Sequence, residues 1–186
     1  MQIGTGGVST AVSQFAHDIG LLVDADILEL GTKRSDPSFP THHKVWNETA
    51  DWTFADVEDG IDVHVVVDAH EMLEFGDDDF DAVVAVSVWE HLRRPWIAAE
   101  EVARVLKPGG IVYIATHQSF PIHGYPSDYF RFSDMALAGI FEDAGLETLD
   151  VCYSYPAKII PPPEVTRWNK AAPVFLNVDL YARKPL

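Results

Sequence analysis

Apolar residues near the start of the chain recur at steps of four and three positions. That spacing predicts a helix with one buried face, because about 3.6 residues complete a helical turn. Residues 27–31 form instead a short apolar run closed by glycine, which is typical of a buried parallel strand entering a turn. The pattern therefore predicts a packing helix and then a first strand. The apolar face of the helix comprises Val8, Val12, Phe15, Ile19 and Leu22.

Beyond the first strand, apolar runs alternate with polar segments. Residues 32–50 contain Pro37 and Pro40 and show little helical period, so they are predicted to be mostly loop with at most one helical turn. The runs that follow are rich in β-branched residues and are bounded by turn-forming ones, which favours strands. Further strands are predicted at residues 52–56, 62–68, 80–87, 111–116, near 146–153 and at 174–182.

Two later segments show the period and the end signals of helices. Residues 95–107 begin with a proline, which is favoured in a first helical turn, and residues 108–110 are predicted to form the turn that ends this helix. Ser133 is placed to cap a helix that runs to Ala144, with Gly145 at the C′ position.

This order of elements predicts an α/β fold: a Rossmann-like, seven-stranded, mostly parallel sheet with an antiparallel edge strand and helices on both faces. One domain is expected over residues 1–186, with an N-terminal helix in 1–25, a binding core in 26–145 and C-terminal strands in 146–186. Such sheets bind ligands beyond the carboxyl ends of their strands, so the residues at those ends are the ones to examine for chemistry.

Charge and cysteine content narrow the classes of partner. The chain has 13 Lys and Arg against 29 Asp and Glu, a formal charge of -16, which repels a phosphate backbone and makes nucleic acid an unsuitable substrate. The single cysteine, Cys152, has no partner for a disulfide within the chain. The chain shows no leader segment and no apolar stretch of membrane-spanning length, so a cytoplasmic protein without a membrane partner is expected.

Polar or small residues stand at the end of each of the first five predicted strands. A carboxylate after the second strand can accept hydrogen bonds from a ribose diol, and an Asp after the third, with the backbone that follows, can bind an adenine edge. Any one of them could instead be a turn former or a helix cap. In chain order they are Glu29 and Gly31, Asp56, Asp68 and Ala69, Ser87 with Glu90 and His91, and His117.

Through the residues at these strand ends, the sequence resembles the class I S-adenosylmethionine-dependent methyltransferases, and among them the type-11 methyltransferase domains. The resemblance covers about residues 27–145, and its most specific part is residues 80–110. It is carried by residues 27–31, Asp56, residues 67–70, 80–83 and 90–91, and the run 104–110 that ends in Lys-Pro-Gly-Gly.

The resemblance implies S-adenosyl-L-methionine as the cofactor and gives a role to each matching residue. Glu29 and Gly31, with the adjacent Thr32, would hold its methionine end, and Asp56 its ribose hydroxyls. Asp68 and Ala69 would hold the adenine, Ser87 and Val88 would line the reactive end, and residues 105–110 would be scaffold, the helix end and turn before the fifth strand.

The chain departs from the family pattern directly after Gly31. The family usually has a G-x-G-x-G turn there, whereas Lys33 and Arg34 follow Thr32 in this sequence. A lone glycine still permits a sharp turn, but Lys33 and Arg34 must then point away or contribute a cation to the methionine carboxylate.

Residues 117–133 follow the fifth strand and are expected to cover the substrate. A similar Pro-x-Asp-Tyr-aromatic-Arg-Phe motif, here residues 126–132, occurs in some methyltransferases of this type. The substrate-binding candidates are Tyr125, Asp128, Tyr129 and Arg131. The alternative is that Arg131 pairs with Asp128 only to fix the shape of the loop.

A hydroxyl acceptor needs a base, and imidazole titrates near neutral pH. His117 and His123 are the first candidates, His91 is the third, and the pair His42 and His43 lies in a loop that could reach the same rim. The acceptor is expected to be a small molecule, and the oligomeric state is left open.

Three other functions are compatible with parts of the sequence. A nicotinamide-binding protein would need a G-x-G-x-x-G turn, which is missing after Gly31. Eight histidines could serve a metal enzyme, but none stand at H-x-x-x-H or H-E-x-x-H spacing on a helix, so no metal is predicted. A non-catalytic, nucleoside-binding module of the same fold remains open, because the turn after the first strand is poor in glycine.

Overall fold

A seven-stranded sheet forms the centre of the fold in a computed structural model that describes residues 9–34, 38, 43–124, 126–164 and 173–186. Its strands lie in the order β3-β2-β1-β4-β5-β7-β6. β7 runs antiparallel to both neighbours, and the other pairings are parallel. The predicted fold class is confirmed, with the antiparallel strand in the edge pair. The strands are β1 (Asp26–Leu30), β2 (Asp51–Asp56), β3 (Val65–Val66), β4 (Phe80–Val86), β5 (Leu106–His117), β6 (Glu147–Ala157) and β7 (Val174–Arg183).

The helices begin at side-chain caps or at proline. In α1 (Thr10–Ile19), Ser9 Oγ accepts a hydrogen bond from the backbone N–H of Val12 at 3.0 Å. α2 (His43–Trp46) is the one helical turn expected in residues 32–50. α3 (Pro95–Val105) starts at its proline, and α4 (Asp134–Asp143) starts at the predicted cap Ser133 and is followed by Gly145 in a left-handed conformation, φ +88°. A short 3-10 turn, Trp89–His91, follows β4. No helix in the described part of the chain is long and apolar enough to cross a membrane.

Each face of the sheet carries its own apolar core, as the alternation of side chains along buried strands requires. On one face Phe15 of α1 stacks on Tyr113 of β5, with ring centroids 5.3 Å apart, and Trp46 of α2 packs edge-on against the same tyrosine. On the other face α3 and α4 bury Val102 and Phe141. Helices therefore cover both faces, as predicted, although Val8 of the predicted helix lies outside the described residues.

Two predicted strand boundaries were wrong. The third strand is only Val65–Val66, because Asp62 has a left-handed φ of +63° and Val63 N–H turns back to Gly60 O at 3.3 Å. β5 begins at Leu106, directly after α3, so residues 108–110 lie within the strand instead of forming a separate turn. Pairing with the residues after β7 keeps this segment in the sheet despite the left-handed φ of +80° at Gly109: the N–H of Gly109 donates to Lys184 O, and the N–H of Lys184 donates to Gly110 O, both at 2.9 Å.

Candidate functional site

The carboxyl ends of the parallel strands line up along one edge of the sheet. Leu30 stands opposite Ala55 of β2 and Ala85 of β4, and Val86 stands opposite Ala115 of β5. The residues that follow these positions therefore share the edge where α/β sheets bind ligands. Every strand-end residue singled out from the sequence is at this edge.

The turn after β1 has room for glycine alone at position 31. Gly31 has a φ of +76°, and a Cβ atom added to it would lie 2.3 Å from Cγ2 of Val88. Its N–H donates to Ala55 O at 2.8 Å, and the buried Thr32 donates to the same oxygen through Oγ1 at 3.3 Å. Val88 from the β4 end thus meets the β1 turn directly, which brings two of the predicted cofactor segments together.

The two cations after this turn extend toward the connection between β2 and β3. Lys33 Nζ lies 2.6 Å from Glu58 Oε2, and Arg34 forms an ion pair with Asp62. The sequence allowed two arrangements, in which Lys33 and Arg34 either point away from the turn or supply a cation to a bound carboxylate. The structure has the first, because both side chains are paired with acidic residues beyond β2.

Asp56 is half-buried at the end of β2 and already accepts two backbone hydrogen bonds. Its Oδ2 accepts from the N–H of Lys33 at 3.0 Å, and its Oδ1 from the N–H of Glu58 at 3.1 Å. An ionised carboxylate offers about four acceptor positions, so each oxygen keeps capacity for a further donor. The two backbone bonds fix the orientation of the group.

Asp68 and Ala69 lie beyond β3, and His70 completes this corner. Asp68 Oδ1 accepts from the N–H of His70 at 2.9 Å and lies 2.6 Å from the ring Nδ1. Partial burial disfavours the charged form, but the bonds from His70 outweigh it and hold the pKa of Asp68 below its ordinary value. His70 Nε2 in turn accepts from the N–H of Arg94, just before α3, at 3.2 Å. From the sequence, His70 was expected only as part of residues 67–70, without a role of its own.

Ser87 ends β4 in a conformation that favours glycine. Its φ is +57°, its side chain is exposed, and its N–H donates to Ala115 O at 2.8 Å. A left-handed backbone at a residue with a Cβ costs about 1–2 kcal/mol. Such local strain is concentrated at functional sites, and here it turns the chain toward Val88 and the β1 end.

A buried carboxylate with histidines around it lies under the edge beside β5. Glu90 is 0% exposed, and its Oε2 accepts from Thr116 Oγ1 at 2.7 Å. Its Oε1 lies 3.0 Å from Nε2 of His117, 3.7 Å from Nε2 of His91 and 3.9 Å from Nε2 of His123. We call Glu90, His91, His117 and His123 the histidine cluster.

Burial and hydrogen bonding oppose each other within this cluster. Burial alone would raise the pKa of Glu90, yet the bonds from His117 and Thr116 bring it below its ordinary value. Burial alone would lower the pKa of His117, yet its contact with Glu90 raises that pKa. The sequence placed Glu90 at the end of the fourth strand and within the family motif, but its burial beside His117 could not be predicted from spacing.

The loop after β5 is tied together by the Asp128–Arg131 pair. Arg131 Nη2 lies 2.8 Å from Asp128 Oδ2 and also donates to Pro121 O at 3.0 Å. The guanidinium holds the pKa of Asp128 well below its usual range. Asp128 Oδ2 accepts from the N–H of His123 at 2.9 Å, so the pair sets the position of that histidine. This is the loop-fixing geometry that the sequence left open.

Tyr129 is the most exposed of the described substrate-binding candidates. Its side chain is exposed, while its N–H donates to Glu90 O at 2.8 Å and so anchors the loop over the histidine cluster. Tyr125 and His42 lie outside the described residues, and His43 is the first residue of α2. A shallow groove of about 440 Å³ lies beside this loop, lined by Phe120 and Arg131 and, across it, by Lys158 and Leu176.

Comparison with known proteins gives a consistent result. A family model described as a methyltransferase domain matches residues 3–114, more than half of the chain. An uncharacterized methyltransferase of Mycobacterium tuberculosis is 44% identical over 43 residues. That match covers 23% of this chain and 17% of the relative, so the chain spans under a fifth of the curated relative it matches.

Solved structures share the fold over nearly the whole chain. One is a chain in the complex between the Haloferax volcanii Trm112 methyltransferase activator and a putative methyltransferase, with a TM-score of 0.66, 20% identity, and coverage of 95% of this chain and 89% of that one. Another is the Burkholderia thailandensis 1,6-didemethyltoxoflavin-N1-methyltransferase with bound 1,6-didemethyltoxoflavin and S-adenosylhomocysteine. It has a TM-score of 0.66, 15% identity, and coverage of 97% and 79%. At these identities the likeness concerns the fold.

Proposed function

We propose, because this chain belongs to the methyltransferase domain family, that it transfers the methyl group of S-adenosylmethionine to an oxygen or nitrogen atom of a small-molecule acceptor. S-adenosylmethionine is the cofactor. One observation carries the finer proposal: the cofactor-binding candidates and the histidine cluster lie at the same edge of one sheet. Donor and acceptor of a methyl group need in-line positioning above all, and a shared edge supplies it.

The residues present fit the cofactor. Gly31 permits the sharp turn that packs Val88 against the end of β1, and Asp56 is held with acceptor capacity for two hydroxyls. When bound, the cofactor supplies a methyl group on a sulfonium. The chain's part is to hold it: Glu29, Gly31 and Thr32 at the methionine end, Asp56 at the ribose, Asp68 and Ala69 at the adenine, and Ser87 and Val88 at the reactive end.

We assign the acceptor side to the loop after β5. His123, partly exposed, or His117 takes the proton that a hydroxyl or ammonium acceptor releases. Tyr125, Asp128, Tyr129 and Arg131 are the residues we expect to contact the acceptor or to shape the loop around it. Because the side chain of His123 is 29% exposed and that of His117 only 8%, His123 has the freer access to a substrate.

A small acceptor in the cytoplasm suits the charge and the shape of this edge. A chain of formal charge -16 repels nucleic acid, and the groove beside Arg131 has about the volume of a small ligand. The Burkholderia enzyme of the same fold is named for methylating a small molecule. A lone, buried Cys152 needs no oxidising compartment.

The test follows a labelled methyl group. The protein is incubated with S-adenosylmethionine labelled in its methyl group and with extracts separated into low-mass, protein and nucleic acid fractions. We expect label in the low-mass fraction. Cofactor binding without label in any fraction would identify a non-catalytic module, and label in protein or nucleic acid would overturn the choice of acceptor.

Matched variants separate the two sides of the site. Replacing the base by alanine should lower turnover by about 10²–10⁴-fold and leave cofactor affinity nearly unchanged. The two variants to test are His123→Ala and His117→Ala. Asp56→Ala should weaken cofactor binding, measured by calorimetry, by about 1–3 kcal/mol, because ribose hydroxyls lose their acceptor. Asp51→Ala, at the exposed opposite end of β2, is the control. Full turnover in both histidine variants would remove the base assignment, and unchanged affinity in Asp56→Ala would remove Asp56 from the site.

A further inference from the structure

Three imidazole nitrogens converge on one buried carboxylate oxygen. Nε2 of His117, of His91 and of His123 lie 3.0, 3.7 and 3.9 Å from Glu90 Oε1. The four residues come from three places: the turn after β4, the end of β5 and the loop beyond it. A fully buried carboxylate is stable only beside compensating positive charge or hydrogen bonds, so this oxygen marks a place for a cation.

The remaining nitrogen of each ring faces an oxygen atom. Nδ1 of His91 lies 2.5 Å from Ser127 O, Nδ1 of His123 lies 3.1 Å from Pro121 O, and Nδ1 of His117 lies 3.1 Å from the amide oxygen of Asn177. Carbonyl oxygens only accept, so in each ring Nδ1 carries the proton, and Nε2, whenever it carries none, can offer a lone pair to a cation beside Glu90. Histidines that bind metals have this arrangement almost without exception, since the outer hydrogen bond fixes the tautomer and the ring.

The cluster also has the size of a metal site. Bonds of about 2.1 Å to a tetrahedral ion place neighbouring ligand atoms about 3.4 Å apart. The distances from Glu90 Oε1 to Nε2 of His117 and of His123 bracket that value. The ligand atoms of these three residues all lie within 4.8 Å of one another. Small side-chain shifts would complete the site, and Thr116 already holds the second carboxylate oxygen at 2.7 Å.

We propose that Glu90, His117 and His123 bind a divalent transition-metal cation. Two imidazoles and one carboxylate suit zinc or ferrous iron, whereas magnesium and calcium favour oxygen ligands throughout. Three protein ligands would leave a coordination position for water or another ligand. His91, held by Ser127, lies beside the site.

This inference stands on the geometry of the cluster and does not depend on methyl transfer. It does affect the assignment of the base, because a metal ion and a proton compete for Nε2 of His117 and His123. With the cation bound, these nitrogens are ligands and cannot receive the proton of an acceptor. The metal content of the protein therefore decides which role the two histidines have.

Cobalt and zinc are the probes. The full chain, without an affinity tag, is treated with a chelator, dialysed and titrated with Co²⁺ while its visible absorption is followed, and Zn²⁺ is then added in competition. We expect one equivalent of Co²⁺ to produce intense bands of low-symmetry coordination and Zn²⁺ to remove them. A wild-type protein that gives no saturable cobalt spectrum would overturn the proposal.

Variants locate the site. Glu90→Gln and His123→Ala should each weaken Co²⁺ binding at least tenfold, whereas His17→Ala, on the exposed side of α1, should not. Circular dichroism checks that the Glu90→Gln protein folds. If that variant does not fold, His123→Ala, at a partly exposed residue, provides the test. Metal binding unchanged in His123→Ala would refute the assignment. Titration of the same samples with S-adenosylmethionine keeps the two proposals apart, because loss of metal binding with intact cofactor binding leaves the methyltransferase proposal standing.

Discussion

Asp179 shows how one buried carboxyl group affects the stability of the fold. It lies on β7 among the apolar residues that face α1, is almost fully buried, and accepts from Tyr113 Oη at 2.8 Å. Burial raises the pKa of Asp179, and the hydrogen bond from Tyr113 offsets only part of the effect. The folded state thus holds this proton more tightly than the unfolded chain does.

The pH dependence follows from that difference. A carboxyl group with a raised pKa in the folded state stabilises the protein fully below its unfolded pKa, about 3.9, and loses that contribution as the pH rises through the folded value. Asp179→Asn cannot ionise and keeps an oxygen for Tyr113. Relative to the wild type, its free energy of unfolding should rise as the pH increases from about 3.9 and should level off above the folded pKa of Asp179, with a total gain of about 1.4 kcal/mol for each unit of the pKa shift.

Urea denaturation across this pH range measures the difference. The exposed Asp51→Asn is the control for removing one negative charge from an acidic chain. A difference between Asp179→Asn and the wild type that stays constant with pH, or that favours the wild type at pH 8, would contradict the argument.

At the scale of residues, positions with a local sequence signal were easier to predict than contacts between residues that are distant in the chain. Gly31 and Asp56 were predicted because a turn and a strand end each leave a local mark in the sequence. The histidine cluster was not predicted, because Glu90 meets His117 and His123 only through the pairing of β4 with β5 and the return of the loop. The direction taken by Lys33 likewise depended on Glu58, which lies in the connection between β2 and β3.

Among the elements, β5 is held at its start by an unusual glycine. Gly109 has a φ of +80°, and a Cβ there would lie 3.2 Å from Leu186 Cδ2. Gly139 lies within α4 in ordinary helical conformation, and a Cβ there would meet no atom within 4 Å. The same substitution should therefore have opposite effects at the two positions.

Gly109→Ala should lower the free energy of unfolding by about 1–2 kcal/mol, because alanine resists the left-handed conformation. Gly139→Ala should raise it by about 0.5–1 kcal/mol, because alanine favours the helix. Melting temperatures measure both changes, which amount to a few degrees each in a chain of this size. Cofactor affinity per folded molecule should stay constant in both variants; a stable Gly109→Ala protein that has lost the cofactor would show that residues 105–110 are not merely scaffold.

The same glycine explains why element boundaries were harder to predict than elements. Apolar runs identified each strand, because burial on both faces of a parallel sheet requires them. The start of β5 was misplaced because Pro-Gly-Gly favours a turn locally, whereas pairing with Lys184 keeps this segment in the sheet. β3 was predicted too long for the opposite reason: its valines favour a strand, but only Val65 and Val66 find partners on β2.

For the whole molecule, an excess of negative charge is the dominant electrostatic feature. With 29 acidic against 13 basic residues, like charges repel one another over much of the surface. Exposed ion pairs such as Arg183 with Glu147 contribute little to stability, so screening them costs little.

Salt should therefore stabilise this protein. Raising NaCl from about 0.1 to 1 M shortens the screening length from about 10 to 3 Å and weakens the repulsion. We expect the melting temperature to rise steadily over this range in scanning fluorimetry, and an uncharged osmolyte serves as the comparison. A melting temperature that falls with NaCl would mean that ion pairs, and not repulsion, dominate the charge balance.

The position of β7 has a consequence for the newly made chain. β7 is synthesised after β6, yet it inserts between β6 and β5. Until β7 leaves the ribosome, β5 presents an open row of backbone N–H and C=O groups, and β6, which has the same direction, is the nearest strand able to pair with it wrongly. The last strand therefore acts as the closing step of assembly, and the interval before it emerges is when the chain is most exposed to misfolding and to aggregation with its neighbours.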